Sequence, residues 1–417
     1  MCDVIIIGGG ASGLTAAIFA AQKGNRVTVL EHKDRVGKKI LMTGNGKCNL
    51  TNQNDFHGKY YSSDAASLTK IYDTLVTFDV DDTRAFFEEL GLYTKEKRDG
   101  GVYPVSEQAS VVLDVLRSAC TRFGVQTITD CEVQTITPQK KGGSIGAMLM
   151  DKNGKKKQQT FSYEKLILAT GGAAASKSGS DGSGYRLAKS IGHTIIKPLP
   201  ALVQLRCDGN FFKAGSGVRA QAELTLLIDG KKEACEEGEL QLTDYGISGI
   251  PVFQFSRLAA RALDEKKRCE VGINFLTYVD KQNQDLFAKK HADTQSYGYK
   301  TVEELLSGMV HKKIASMICK KNKITTGATV SEVGEKAVYG CILELFDFRV
   351  AVTGTNPFEN AQVCSGGVPL SEVDETFASK LWNNIFIVGE LLDCDGICGG
   401  YNLQWAWATG AIAGRNV

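Results

Sequence analysis

The first thirty-one residues constrain this chain more than any other stretch. Residues 3 to 7, "DVIII", are short, apolar and β-branched, the pattern of a parallel strand buried on both faces. Gly8-Gly9-Gly10-Ala11-Ser12-Gly13 follows at once and matches G-x-G-x-x-G. Leu14 to Lys23 predict a helix ended by Gly24, and "RVTVL", residues 26 to 30, predicts a second strand with Glu31 at its end. Strand, glycine turn, helix, strand and acid in this order form a dinucleotide-binding βαβ unit. Each part has a physical task. Gly8 permits the tight turn, Gly10 lets backbone approach a pyrophosphate, and Gly13 lets helix and strand pack closely. The first turn of the helix offers unpaired N–H groups and partial positive charge to phosphates. Glu31 is placed to accept both hydroxyls of an adenosine ribose, and its charge repels a 2′-phosphate there.

An NAD domain continues with regular βαβ units. Here Glu31 runs instead into "HKDRVGKKILMTGNGKCNLTN", which has no apolar periodicity after Met42. A long irregular loop at this point suits a ligand that extends well past its pyrophosphate, as the ribityl chain and isoalloxazine of FAD do. Two later stretches fit the same ligand. "KLILATGG", residues 165 to 172, is a buried strand ending in Thr-Gly-Gly, and residues 384 to 414 read as strand, glycine-rich loop and apolar helix.

Composition excludes several classes. With 417 residues the chain is too long for one ordinary core. The 49 Lys plus Arg balance 47 Asp plus Glu, so nothing recommends nucleic acid or an anionic membrane as a partner, and a small molecule is the expected one. Glycines interrupt the apolar stretch 4 to 21 and no basic segment precedes it, which argues against a signal peptide or spanning helix. Twelve scattered cysteines without a regular frame suit reduced thiols and a cytoplasmic location. Cys394 and Cys398 lack a second pair at zinc-ligand spacing, so no metal is expected. The oligomeric state is left open.

Seven segments together carry a resemblance to a known family: "GGGASGLTAA", "GKKILMTGNGKCNLTN", "LATGG" with "GSGYRLAKSIGH", "LQLTDYGISG", "AQVCSGGVPLSEV" and "GELLDCDGICGGYNLQWAWATG". Over essentially its whole length the chain resembles the NAD(P)/FAD-dependent oxidoreductases that include aminoacetone oxidase-like and bile-acid reductase-like flavoproteins. The resemblance implies non-covalent FAD. Its contacts would be Gly8, Gly10, Ala11, Ser12, Gly13 and Glu31 at the adenosine and pyrophosphate end, with Val133 offering backbone to the adenine. Lys39, Thr43, Gly44, Gly46, Lys47, Cys48 and Asn49 would line the ribityl–isoalloxazine end. Ala169, Thr170, Gly171, Gly389, Glu390, Gly400, Asn402 and Leu403 would complete the site. Cys48 stands alone in its loop, where a working dithiol needs two cysteines, and is expected to be a small packed thiol. His193 is expected to be structural.

The fold expected is α/β: a Rossmann-like FAD-binding domain, residues 1–197 and 357–417, with an inserted β-barrel-like domain and a helical subdomain. Strand patterns place the barrel at 198–276 and 346–356, and helical periods place the subdomain at 277–345. The insertion is expected to face the flavin through Thr243 to Ser248. There "TDYGISG" carries Asp244 where relatives more often carry histidine, so a proton donor cannot simply be transferred. Tyr245, Tyr401 and Asn402 are the catalytic candidates. No second G-x-G-x-x-G in strand–helix context appears, so NADH or NADPH as electron donor would dock transiently at the flavin face. The leading reading is reduction of an activated C=C bond in a bulky, steroid-like enone, favoured by the abundant cysteines of a reducing host. The alternatives are an FAD-dependent amine oxidase using oxygen, and an FAD-binding sensor or RNA-modification partner, which the balanced charge disfavours.

Overall fold

The computed structural model describes residues 3–150 and 154–417, and the chain divides into two compact units, Met1–Leu199 with Gln362–Val417, and Pro200–Ala361. In the first unit, strand β1 (Asp3–Ile7), helix α1 (Ala11–Gln22) and strand β2 (Arg26–Leu30) follow one another as the sequence predicts. β1 lies at the centre of a five-stranded parallel sheet. Its order is Ile385–Ile387, Lys165–Leu168, β1, β2, Gln126–Ile128. The central strands are almost wholly apolar because both faces are covered. Val4, Ile6, Val29, Ile167 and Ile387 are all buried.

One face of that sheet receives α1, against which the C-terminal helix Tyr401–Asn416 packs. Both helices are rich in small residues, and this permits the approach. A Cβ on Gly410 would stand 2.4 Å from the Ser12 carbonyl oxygen, and one on Gly414 would stand 2.5 Å from that of Ala16. An antiparallel sheet of Cys131–Pro138, Gly143–Met150 and Lys156–Tyr163 leads back to the central strand Lys165–Leu168. His193 ties the helix Ser183–Ser190 to the segment around 372–379. Its Nδ1 lies 2.6 Å from Glu372 Oε2 and its Nε2 2.8 Å from Ser379 Oγ. The Ser379 hydroxyl oxygen also accepts the Leu381 and Trp382 N–H groups, so this buried cluster is a structural clasp.

The second unit is a closed antiparallel barrel of six strands: Leu205–Cys207, Gly246–Ser248, Lys231–Leu242, Arg219–Ile228, Cys269–Asn274 and Phe348–Thr355. Helices between Gln284 and Glu344 do not form a separate body. Ile314, Met317, Ile318, Val338 and Ile342 share one core with Leu224, Leu240, Val271 and Phe348 of the barrel. The chain leaves the first unit after Leu199 rather than 197 and returns at Gln362 rather than 357. The strand Ile196–Ala201 pairs with Val363–Gly367, and this pairing holds the two crossing segments together.

Candidate functional site

The glycine turn between β1 and α1 shows three different reasons for glycine. Gly8 has φ +101°, and a Cβ there would lie 2.5 Å from the Ala169 carbonyl oxygen. A Cβ on Gly13 would lie 2.0 Å from the Gly8 carbonyl oxygen. Gly8 is therefore required by its left-handed backbone as well as by packing, and Gly13 by packing. Gly10 is different: a Cβ there would meet nothing within 4 Å. No protein contact explains that glycine, whereas a ligand resting on the backbone does. α1 begins directly after Gly10 and has no side-chain cap, so no side chain occupies the first N–H groups of the helix.

Glu31 is buried at the end of β2. Its Oε2 accepts the Gly9 N–H at 2.9 Å and its Oε1 accepts the Lys33 N–H at 2.9 Å. The carboxylate thus braces the glycine turn. One lone pair on each oxygen is left for ribose hydroxyls. The strand Cys131–Pro138 begins beside it, with the Cys131 N–H donating to the Glu31 carbonyl at 2.9 Å. Val133 sits on that strand at a break in its register, where a backbone group is released from the ladder.

The irregular loop folds as a tight turn over Ile40–Gly46, broken by extended Thr43 and by left-handed Gly44 and Asn45. Cys48, also left-handed at φ 57°, donates its N–H to the Thr43 carbonyl at 3.0 Å. Burial pushes the Cys48 thiol up to about 12, so it is held protonated and is no thiolate nucleophile. Beyond it, the buried atoms Asn49 Oδ1 and Thr51 Oγ1 have no hydrogen-bond partner. Such orphans are costly unless something else meets them. Gly400, at φ +100°, presses on Thr51, and its Cβ would lie 2.6 Å from the Thr51 carbonyl oxygen. The C-terminal helix starts there, again without a side-chain cap.

Lys39 and Glu390, 351 residues apart in sequence, are paired at 2.6 Å. Glu390 Oε1 also accepts the Cys364 N–H at 2.9 Å. This ion pair joins the irregular loop to the turn Gly389–Leu391. Thr170 and Gly171 follow the strand Lys165–Leu168, and a Cβ on Gly171 would lie 3.9 Å from Glu390 Oε2. Ala169 donates its N–H to the Ile7 carbonyl, and Gly389 accepts from Trp405 Nε1 at 3.1 Å. The expected cofactor residues of this unit thus come from five stretches of sequence, 8–31, 39–49, 133, 169–171 and 389–403. They fit a ligand with a diphosphate over α1, a ribose at Glu31 and an extended tail toward Asn49 and Gly400.

The catalytic candidates separate. Asn402 accepts the Gly396 N–H at 2.8 Å and donates to the Gly396 carbonyl at 2.8 Å, so its amide holds the loop rather than a substrate. Tyr401 is buried edge-on against Tyr60 and Phe56, and burial raises its phenol. Leu403 packs on the core beside it. Tyr245 belongs to the barrel unit, where its Oη accepts from Asn356 Nδ2 at 2.9 Å and remains able to donate its own proton. Lys47, expected at the flavin, is paired with Glu107 at 2.8 Å, a partner that sequence reasoning missed because no spacing marks it. Among the described residues no cluster of metal ligands forms, and no helix is long and apolar enough to cross a membrane.

A family model described as the HI0933-like protein Rossmann domain matches residues 2–416. The chain belongs to this family. A 3-dehydro-bile acid delta(4,6)-reductase of Clostridium scindens is 41% identical over 413 residues, covering 98% of this chain and 97% of that one. A ribosomal RNA dihydrouridine synthase of Haemophilus influenzae is 27% identical over 97% of this chain and 96% of its own. Among solved structures, 3-ketosteroid delta1-dehydrogenase from Sterolibacterium denitrificans superposes with a TM-score of 0.51 at 12% identity, covering 100% of this chain and 99% of that one. At that identity the match speaks to fold alone. The family's Rossmann core is the unit built above around Gly8, Gly10, Gly13 and Glu31.

Proposed function

We propose that the protein is an FAD-dependent reductase of a C=C bond conjugated to a ketone in a bulky, steroid-like substrate, with NADH or NADPH as electron donor. The observation that carries this reading is the 41% identity, over nearly the whole of both chains, to a 3-dehydro-bile acid delta(4,6)-reductase. The open cradle at Gly10 and the orphaned oxygens at Asn49 and Thr51 support a bound flavin nucleotide. FAD bound there supplies the hydride chemistry. The chain's own part is to hold the adenosine end at Glu31, to exclude competing thiol chemistry by keeping Cys48 buried and protonated, and to orient the substrate. Saturating the bond consumes one hydride at the carbon β to the ketone and one proton at the α carbon. Tyr245 and Tyr401 are the phenols to test as proton sources.

The test is anaerobic stopped-flow. Mixing the purified flavoprotein with NADH and then NADPH is expected to bleach the flavin. A second mix with a 3-keto-4-ene steroid is expected to restore its colour faster than oxygen does. Bleaching by aminoacetone instead, with rapid reoxidation by oxygen and none by enones, would establish the amine-oxidase alternative and overturn this one.

A further inference from the structure

Three lysines converge on one carboxylate next to the irregular loop. Lys47 Nζ lies 2.8 Å from Glu107 Oε2, while Lys95 Nζ and Lys97 Nζ lie 2.9 and 3.4 Å from Glu107 Oε1. The side chains of the lysines keep 48%, 41% and 34% of their exposure, so a ligand can reach them. Lys97 Nζ also sits over the half-buried Tyr103 ring, 4.1 Å from its centroid. Glu107 adopts a left-handed φ of 51°, uncommon for a residue with a side chain, and its N–H closes a turn onto the Pro104 carbonyl. The lysines, Lys47 foremost and then Lys95, hold its carboxyl down at about 2, so it stays an anion.

This cluster is part of the same framework as the candidate flavin loop. The N–H of Lys47 closes the Ile40–Gly46 turn by donating to the Gly44 carbonyl. Lys95 and Lys97 sit on and just after the strand Thr94–Glu96, which pairs with Gly101–Pro104. That strand in turn pairs with Thr51–Asn52, the continuation of the loop. A Cβ on Gly44 would stand 3.4 Å from the Tyr103 ring.

Three ammonium groups against one carboxylate leave two positive charges in excess. A carboxylate ligand would match only one of them. A diphosphate carries its charge on two phosphorus centres, whereas these ammonium groups already point at a single centre. A terminal phosphate has nearly two negative charges and three oxygens on one centre. The chain also lacks a second glycine-turn βαβ unit, so a pyridine nucleotide needs phosphate holders elsewhere.

We propose that Lys47, Lys95 and Lys97 form a docking point for the 2′-phosphate of NADPH. The proposal rests on the pyridine-nucleotide donor of the proposed function, and a binding experiment separates the two. Holoprotein is titrated by calorimetry with 2′,5′-ADP, 5′-AMP and cholate, using wild type, Lys95→Gln/Lys97→Gln and Lys95→Arg/Lys97→Arg. The expected result is that wild type binds 2′,5′-ADP at least about tenfold more tightly than 5′-AMP. The Gln pair loses that preference and the Arg pair keeps it, at equal FAD content. Equal binding of the two nucleotides by wild type, or an undiminished preference in the Gln pair, overturns the proposal. Cholate binding that the Gln pair abolishes, with no preference for 2′,5′-ADP, also overturns it by assigning the lysines to a substrate carboxylate. If the 2′,5′-ADP preference holds but neither NADH nor NADPH bleaches the flavin, the phosphate site stands and the donor of the proposed function fails.

Discussion

Replacing Gly10 and Gly13 separately by alanine should divide cofactor binding from folding. At Gly13 the new methyl would lie 2.0 Å from the Gly8 carbonyl oxygen and 3.2 Å from Ala169 Cβ. Neither neighbour is a flexible side-chain tip, so α1 must retreat from the sheet by about 1.4 Å to reach the 3.4 Å of ordinary contact. Overpacking of this kind costs roughly 1–3 kcal/mol. For a unit of this size each kcal/mol shifts the melting temperature by roughly 2–4 °C, so the apoprotein should melt about 2–12 °C lower. At Gly10 the methyl meets no protein atom, and φ is −84°. The cost is that of a poorer helix N-cap, within about 1 kcal/mol, and the apoprotein should lose at most about 4 °C. The same methyl projects into the space assigned to the pyrophosphate. Loss of one charge-assisted backbone contact there, about 1.5–3 kcal/mol, should weaken FAD roughly tenfold to a hundredfold. Differential scanning fluorimetry of flavin-stripped protein and quenching titration with FAD give both numbers. Wild-type FAD affinity in Gly10→Ala would refute the cradle, and a Gly13→Ala protein that melts like wild type would refute the packing argument.

Two further outcomes follow from the site. Glu31→Ala should raise the FAD dissociation constant about tenfold to a hundredfold. It should also lower the apoprotein melting point, because the Gly9 N–H loses its acceptor. An unchanged dissociation constant would show that the ribose is held elsewhere. Cys48 should resist iodoacetamide in the native protein at pH 8, since its thiol titrates near about 12, while exposed Cys235 is alkylated first. Peptide mass spectrometry reads the order, and native labelling of Cys48 ahead of Cys235 would overturn the burial argument.

The sequence by itself determined the Rossmann unit, because its signals are local. A β-branched run, glycines at fixed offsets, a helix of small and apolar residues and a terminal acid lie within one short segment, and backbone sterics at Gly8 and Gly13 leave few alternatives. Strand and helix periods likewise marked out an inserted β-rich body, since periodicity needs no knowledge of partners. Tertiary structure alone decided who meets whom. The Lys39–Glu390 pair joins segments 351 residues apart, and no spacing rule links them. The helices of the insertion share the barrel's core because their apolar faces found it, a choice that their own pattern leaves open. Asn402 looked like a donor by position and proved to be a loop clasp, because its hydrogen-bond partners are backbone groups supplied by the fold. Lys47 meets Glu107 because the strand Gly101–Pro104 pairs on one side with Thr94–Glu96 and on the other with Thr51–Asn52, the continuation of the Lys47 loop. Charges act through space within a few ångströms, and only the folded chain sets those distances.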